Sequence, residues 1–463
     1  MNWKETIYAH SPIWAQNLMV SAYGWQWKRR RFGGIFAQEV AEFKRRESFD
    51  AQQWRDYQTV RLRELLIHAF ETTLFYRKKY AACGLTAASL ARFELEDLPR
   101  LPFLEKDELR RYGTGELLST RLEPGGAFFG SSGSTGAPVQ IRYSHAFHQR
   151  VNAAMEARVR AWAGVDGHTP RGMIGGRRVL PRAHESAPFY RYNFFEKQTY
   201  FSAYHISTAN AADYVRGMRS GKTAYMTGYA MSNYLLAQAI GRAGLRAPEL
   251  KAVITSSEKL TPEMRDTFRR IYGCRTFDTY SGVENCALIA ETPSGQLAIQ
   301  PDVGIVEILD PAGRPVAPGE TGELVCTGLL NQDQPLIRYR CGDLARRGLA
   351  ASPDVDMPTV EAIDGRTEDL IETRDGRLMV RFHSIFIGMT PVVEGQIIQY
   401  SPERYAIRVT LGAPLDDESR RQMASRLKSQ VGDDCKVDFE VVDAIPRGPN
   451  GKFKAVISAW NRR

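Results

Sequence analysis

Between Thr223 and Tyr280 short apolar runs alternate with helical ones, and this alternation constrains the fold more than any other feature of the chain. Thr223-Ala224-Tyr225-Met226-Thr227-Gly228 reads as a buried strand ending in a turn. Residues 234–243 read as a helix, 250–255 as a strand, 261–272 as a helix and 276–280 as a strand. Strands separated by helices pair in parallel, because the helix is the crossover that a parallel pair needs. The predicted class is therefore α/β, and in such sheets ligands bind beyond the carboxyl ends of the strands.

At 463 residues the chain is too long for one core, since single cores stop growing at roughly 250–300 residues. Residues 303–345 have a β texture. Ile305, Val306, Ile308 and Leu309 run to the turn Asp310-Pro311-Ala312-Gly313, and Gly319-Glu320-Thr321-Gly322-Glu323 turns into Leu324-Val325-Cys326-Thr327. The C-terminal part reads as a small α+β unit. In it residues 405–411 alternate as a half-buried strand, 416–431 form a helix with an acidic first turn and Gly432 after its end, and Val437, Phe439 and Val441 alternate again. Nearer the start, residues 61–80 predict one amphipathic helix through Leu62, Leu65, Leu66, Ala69, Phe70, Thr73 and Leu74. Residues 170–205 read as irregular. Residues 11–27 are aromatic and apolar and lead into Lys28-Arg29-Arg30-Arg31. A helix packed on the main body with a solvated basic end is the preferred reading. Peripheral contact of the basic N-terminus with anionic lipid is the alternative.

Lys and Arg number 62 against 53 Asp and Glu, a net charge of +9. Over this length that is a mild excess, which suits small anionic ligands and gives no reason to expect nucleic acid. Cys83, Cys274, Cys286, Cys326, Cys341 and Cys435 are scattered, so neither a zinc site nor a disulfide framework is expected. With no signal-peptide pattern and no long apolar run, a cytoplasmic protein without a transmembrane segment is expected, and a homodimer is compatible with it.

Gly130-Ser131-Ser132-Gly133-Ser134-Thr135-Gly136-Ala137-Pro138 lies between the apolar pair Phe128-Phe129 and the alternating run Val139-Gln140-Ile141-Arg142-Tyr143. It predicts a tight loop between two strands. Glycines let a backbone approach a ligand, and clustered N–H groups bind anions. It is not a Walker P-loop, because no Gly-Lys-Ser/Thr closes it. Four further stretches follow: Asp278-Thr279-Tyr280-Ser281-Gly282-Val283-Glu284; Pro335 to Leu344, with Arg338 and Asp343; Asp364-Gly365-Arg366-Thr367-Glu368-Asp369-Leu370-Ile371; and Pro446-Arg447-Gly448-Pro449-Asn450-Gly451-Lys452.

In this order and spacing the stretches resemble the adenylate-forming superfamily of acyl-CoA synthetases and ligases, and most of all its phenylacetate–CoA ligase-like branch, which includes capsule-synthesis-type proteins. The resemblance covers residues 60–460. It implies a large N-terminal domain, 1–366, of parallel and mixed sheets with helices and a β-subdomain, preceded by a helical extension over 1–60. It also implies a small mobile α+β domain, 367–463. The implied cofactors are ATP and Mg²⁺, with CoA as acceptor. An amine or other small nucleophile is the alternative acceptor, and a non-catalytic nucleotide-binding relative is the alternative to an enzyme.

Carried over residue by residue, Ser131, Ser132, Gly133, Ser134, Thr135 and Gly136 would cradle phosphates, and Ser257 and Glu258 would line the adenine. Tyr280 would stack on the base between Thr279 and Ser281. Glu284 would hold Mg²⁺, Asp343 the ribose hydroxyls, and Arg366 would lie near ribose and phosphate. Lys452 would reach the reacting carboxylate, and Glu368 would be the hinge. Tyr204, His205, Tyr229, Gly282 and Phe201 are the candidates for the acid pocket, and their aromatics suggest an aryl or other apolar acid. The residue types suit this chemistry: a Lys and a Mg²⁺ neutralise charge developing on the α-phosphate, and an ionised Asp offers two acceptor oxygens to a ribose. The chain departs from the family pattern at Val139, where a Lys is usual, at Ser281 and Val283, and at Ile371-Glu372-Thr373-Arg374, where the family continues with Lys and Gly.

Overall fold

The structure, a computed structural model, describes residues 3–130, 139–175, 179–180, 186–203, 205–366, 371–372, 378–379, 391–446 and 453–460, with Phe382, Ile385, Phe386 and Met389. It forms two compact units, residues 1–341 with 345–363, and residues 342–344 with 364–463.

Helices open the first unit: α1 (Trp3–His10), α2 (Ile13–Phe32), α3 (Phe36–Arg46), α4 (Ala51–Thr72), α5 (Leu74–Ala82), α6 (Ala87–Leu90) and α7 (Lys106–Tyr112). The helix expected over 61–80 is in fact two. Thr73 leaves the helical region (φ −114°, ψ 132°), its hydroxyl donates to the Ala69 carbonyl, and the same oxygen accepts from the Tyr76 amide to start α5. A Thr hydroxyl that competes for backbone groups ends one helix and caps the next, although the apolar spacing runs straight through it.

An antiparallel hairpin follows, β1 (Ala127–Gly130) and β2 (Gln140–Tyr143), with Gly130 opposite Gln140 and Ala127 opposite Tyr143. These are the strands expected on either side of the glycine-rich loop. α8 (His145–Ala154) starts on the Ser144 hydroxyl, which accepts from the Phe147 amide, and runs on as a π-helical stretch, Met155–Arg160.

Next come β3 (Arg171–Gly175), β4 (Tyr190–Asn193), β5 (Gln198–Ser202), α9 (Ala211–Ser220), β6 (Tyr225–Tyr229), α10 (Ala230–Arg242), β7 (Ala252–Ser256), α11 (Pro262–Tyr272) and β8 (Arg275–Tyr280). They are followed by β9 (Ile289–Glu291), β10 (Leu297–Ile299), β11 (Gly304–Leu309), β12 (Thr321–Gly328), β13 (Tyr339–Arg347) and β14 (Thr359–Arg366). The strands make one twelve-stranded sheet in the order β11-β12-β13-β14-β10-β9-β8-β7-β6-β3-β5-β4. Its centre is parallel, from β5 through β3, β6 and β7 to β8, and both flanks are antiparallel. Two cores serve this unit. One packs the α4–α8 helices against the β8–β14 side, and the other packs α9, α10 and α11 against β3, β5, β6 and β7.

Within 170–205, read from the sequence as irregular, β3, β4 and β5 are thus strands of the sheet. Its strands carry Arg171, Arg191, Asn193, Gln198 and Thr199, all buried, so they show no apolar alternation. Several of these polar groups pair with one another: Arg171 Nε donates to Gln198 Oε1 (2.6 Å), and Asn193 Nδ2 donates to Glu196 Oε2 (2.8 Å).

The second unit holds β15 (Ile371–Glu372), β16 (Leu378–Met379), β17 (Val392–Ser401), β18 (Arg404–Leu411), α12 (Asp417–Val431), β19 (Lys436–Val441) and β20 (Val456–Ser458). β19-β18-β17-β20 form a four-stranded sheet. α12 lays Met423, Leu427 and Val431, spaced by four, on Ile397, Tyr405, Ile407 and Val409. Asp416 caps it by accepting from the Ser419 amide. The architecture is α/β with a large mixed sheet and a smaller sheet unit.

Candidate functional site

The parallel strands end side by side. Ile174 lies opposite Gly228, Tyr229 opposite Ser256, and Ser256 opposite Thr279. Four candidates from the sequence, Tyr229, Ser257, Tyr280 and Glu284, therefore lie at or just beyond the carboxyl ends of β6, β7 and β8. Open sheets of this kind keep that crevice for ligands.

Gly228 is what lets β6 reach the edge. It has φ +125°, and a Cβ there would sit 1.8 Å from the Ile174 carbonyl oxygen, which belongs to backbone and cannot swing away. Gly228→Ala is expected to destabilise the protein by at least about 2 kcal/mol, as strained backbone does. A urea unfolding midpoint equal to wild type would refute this.

The turn after β7 is strained. Ser257 holds φ 69°, in the left-handed region that non-glycine residues avoid at a cost of roughly 1–3 kcal/mol, and such residues cluster at functional sites. Glu258 follows it, and its Oε2 accepts from the Met231 amide (2.8 Å) at the start of α10, where a carboxylate complements unpaired amides. Glu258 thus braces α10 against the β7 turn.

The loop after β8 is fixed from two sides. The Tyr143 hydroxyl donates to the Val283 carbonyl (2.6 Å) and accepts from Asn285 Nδ2, while Ser281 Oγ donates to Asn285 Oδ1 (2.9 Å). Asn285 turns the chain with φ 43°. The Tyr339 hydroxyl donates to Glu284 Oε1 (3.2 Å). Burial, and after it the Glu284 charge, push the Tyr339 hydroxyl far above its ordinary range, so it stays a donor. Gly282 leaves room for the carboxylate: a Cβ there would lie 2.5 Å from Glu284 Oε2. Tyr280 is half-buried, its hydroxyl 3.6 Å from the Cys341 sulfur. The Thr279 hydroxyl is buried and has no hydrogen-bond partner among the described residues.

Behind this edge lies Asp278. Its Oδ1 accepts from the Thr255 hydroxyl (3.2 Å) and the Thr279 amide (2.9 Å), and Glu291 beside it takes both Arg265 guanidinium nitrogens. Burial first, then the Glu291 charge, push the Asp278 carboxyl up to about 6. The native state keeps this proton while the unfolded chain has lost it, so stability falls as pH rises through this window, and the cost is complete above pH about 6. Asp278→Asn keeps both hydrogen bonds without the charge. It is expected to be more stable than wild type above that pH by on the order of 2 kcal/mol, with the advantage gone at low pH. Parallel melting curves across the window test this, and a pH-independent difference would contradict it.

Phe201 is a core side chain, only 1% exposed and sandwiched near Tyr190 and Tyr214. His205 is stacked on Phe189 (centroids 5.0 Å apart) and its Nδ1 lies 2.7 Å from Ser202 Oγ. Asp343 is half-buried on β13, and Arg366 is the last residue of β14. Ser131, Ser132, Gly133, Ser134, Thr135, Gly136, Tyr204, Glu368 and Lys452 lie outside the described residues. The positioning residues Tyr143, Tyr339 and Asn285 escaped sequence reasoning. Each sits beside or inside a motif already singled out, and that adjacency was the available signal. Among the described residues no three His, Cys, Asp or Glu side chains converge as a metal site.

Residues 370–459 match the family model of the CapK C-terminal domain. Over 459 residues the chain is 24% identical to protein CapK of Staphylococcus aureus, covering 98% of each. It is 26% identical to the phenylacetate-coenzyme A ligase of Pseudomonas putida over 445 residues, 87% of this chain and 93% of that one. In fold it is similar to 2-hydroxyisobutyryl-CoA ligase in its postadenylation state in complex with R3-HIB-AMP, with a TM-score of 0.69, 22% identity, and 89% and 91% of the two chains covered. The chain is a homologue of CapK and of the phenylacetate–coenzyme A ligases, built on the fold of the adenylate-forming CoA ligases and ending in a CapK C-terminal domain.

Proposed function

We propose that the protein activates a carboxylic acid with ATP, forming acyl-AMP and pyrophosphate, and then passes the acyl group to an acceptor, the CoA thiol before others. The row of Tyr229, Ser257, Tyr280 and Glu284 at the carboxyl ends of β6, β7 and β8 carries this reading, in a chain whose homologues include phenylacetate–coenzyme A ligases. In it Tyr280 stacks on adenine, the Ser257 turn faces the base, and Asp343 takes the ribose hydroxyls with Arg366 near them. The loop 131–136 receives the phosphates, and Lys452 neutralises charge between the carboxylate and the α-phosphate as they meet. Glu368 is the pivot by which the C-terminal domain, 367–463, changes from adenylation to transfer. The acid sits toward Tyr204, His205, Tyr229 and Gly282.

Glu284 suits Mg²⁺. This ion takes one or two carboxylates and completes its shell with water and substrate phosphates, so a single half-buried Glu held by a tyrosine donor is enough. Bound there, Mg²⁺ would supply charge for the phosphates. Glu284→Gln is expected to raise the Mg²⁺ concentration needed for half-maximal rate by tenfold or more. An unchanged Mg²⁺ dependence would remove Glu284 from this role.

A second reading, transfer to an amine, rests on Ile371-Glu372-Thr373-Arg374, which departs from the family pattern where the thiol acceptor enters. The work of ATP and CoA fits a cytoplasmic protein. Incubation with ATP, Mg²⁺ and a panel of apolar and aryl acids, with CoA or amines added, tests both. AMP with an acyl thioester supports the first reading and AMP with an amide the second. ADP as the nucleotide product would overturn both.

A further inference from the structure

Helix α2 turns several polar residues inward. Gln16, Ser21 and Gly24 are its buried residues, and its polar side chains finish the edge of the sheet. Asn17 Oδ1 accepts from the Tyr192 amide (3.0 Å), Ser21 Oγ accepts from the Phe194 amide (3.1 Å), and Gln16 Oε1 accepts from Arg191 Nε. This covers the outer strand β4, whose amides would otherwise stand open. Gly24 lies so close to Asn193 that a Cβ would meet its Nδ2 at 1.9 Å, so the helix cannot turn on its axis.

The opposite face is apolar and points to solvent: Trp14 is 66% exposed, Leu18 54%, Trp25 47% and Met19 38%. Phe194 and Phe195 at the tip of the β4–β5 hairpin are 57% and 49% exposed, and Lys28 Nζ donates to the Phe195 carbonyl (3.0 Å), which joins the hairpin tip to the helix. Large rings seldom gather outside a protein without a partner.

The charges identify the partner. α2 contains no Asp or Glu. Arg30 and Arg31 do not form the solvated basic end expected from the sequence. Arg30 donates to the Gly125 and Tyr143 carbonyls, and Arg31 pairs with buried Glu196. Arg29 stays exposed over the Trp25 ring (5.0 Å), and Lys197 is exposed at the hairpin tip. Every exposed charge on α2 and on residues 190–202 is therefore positive. A second copy packed on this face about a two-fold axis would set these cations against their own kind. Tryptophans flanked by Arg and Lys, with no carboxylate, instead match the headgroup region of an anionic bilayer.

We propose that this face rests on anionic membrane surfaces, with α2 in the plane of the interface and Trp14, Leu18 and Trp25 among the acyl chains. The proposal does not depend on the ligase reading. Co-sedimentation of the full chain with vesicles of phosphatidylcholine, with and without phosphatidylglycerol, tests it. Binding should be about tenfold or more tighter with phosphatidylglycerol present, and should weaken with salt. Trp14→Ser with Trp25→Ser should lower it about tenfold without shifting the melting temperature, and Arg29→Glu should lower only the phosphatidylglycerol-dependent part. Failure to pellet with either vesicle, or equal binding by the double variant, would overturn the proposal. So would a concentration-dependent dimer in ultracentrifugation that the double variant abolishes, since the occupant would then be a second copy.

Discussion

Asp302→Ala is expected to cost about 3–5 kcal/mol of stability, the usual effect of removing one partner from a buried ion network. Asp302 is fully buried, and its Oδ2 accepts from Arg46 Nε (2.9 Å) and Arg158 Nη2 (3.3 Å). Arg46 belongs to α3. Arg158 belongs to the π-helical stretch and is itself fully buried, with Nε donating to Gln300 Oε1 (2.8 Å). Both guanidinium groups also lie near the buried Phe43 ring, at 4.8 and 5.9 Å. Without the carboxylate, two cations remain together just before β11 with little to balance them among the described residues, where Glu47 reaches Arg158 and Glu42 reaches Arg46 each only at 3.5 Å. Asp302→Asn keeps an acceptor but loses the charge, so it should fall between wild type and alanine. Urea unfolding of the three proteins checks the order, and an alanine variant within about 1 kcal/mol of wild type would show that the network carries no net stability.

How much of this was legible depends on what each residue does. The parallel centre could be read because β6, β7 and β8 are buried runs bounded by helices whose caps are written in the chain, as Thr261 before α11 and Gly273 after it. Tyr280 and Glu284 stand out because a strand ends there in a glycine turn, and the roles proposed for them come from the resemblance to the adenylate-forming family. The strands β3, β5 and β4 at one end of the sheet could not be read. Their buried residues include arginines and amides paired with one another, and an internal polar network looks like a surface when only hydrophobic spacing is read. α2 is the packed helix that the sequence predicts, but its basic end is not solvated, because Arg30 and Arg31 meet Gly125, Tyr143 and Glu196 from far along the chain. Tyr143 and Tyr339 act through their hydroxyls on a loop far away in sequence, and nothing local to either residue announces that.

The second large effect concerns Lys452. Its substitution by alanine is expected to slow acyl-AMP formation by about two to three orders of magnitude, the loss seen when one donor to developing transition-state charge is removed. Conversion of supplied acyl-AMP to product should be spared, because in the proposed scheme Lys452 serves adenylation only. Glu368→Pro, which stiffens the backbone at the proposed pivot, should do the reverse. Lys452 stands in the Gly-Pro-Asn-Gly-Lys run just before β20, an element of the sheet onto which α12 packs. Both variants are expected to keep wild-type melting temperatures, which separates an effect on the reaction from one on folding. Single-turnover rates of each half-reaction decide the matter: equal loss of both half-reactions in each variant would refute the division of labour.

Acid-dependent exchange of labelled pyrophosphate into ATP decides whether the row of residues beyond β6, β7 and β8 serves adenylation. The exchange reports the reversible first step alone and needs no knowledge of the acceptor. Exchange is expected with Mg²⁺ and at least one apolar or aryl acid, absent without the acid and lost in Lys452→Ala. Labelled phosphate entering ATP through ADP, or exchange that proceeds without any acid, would contradict it.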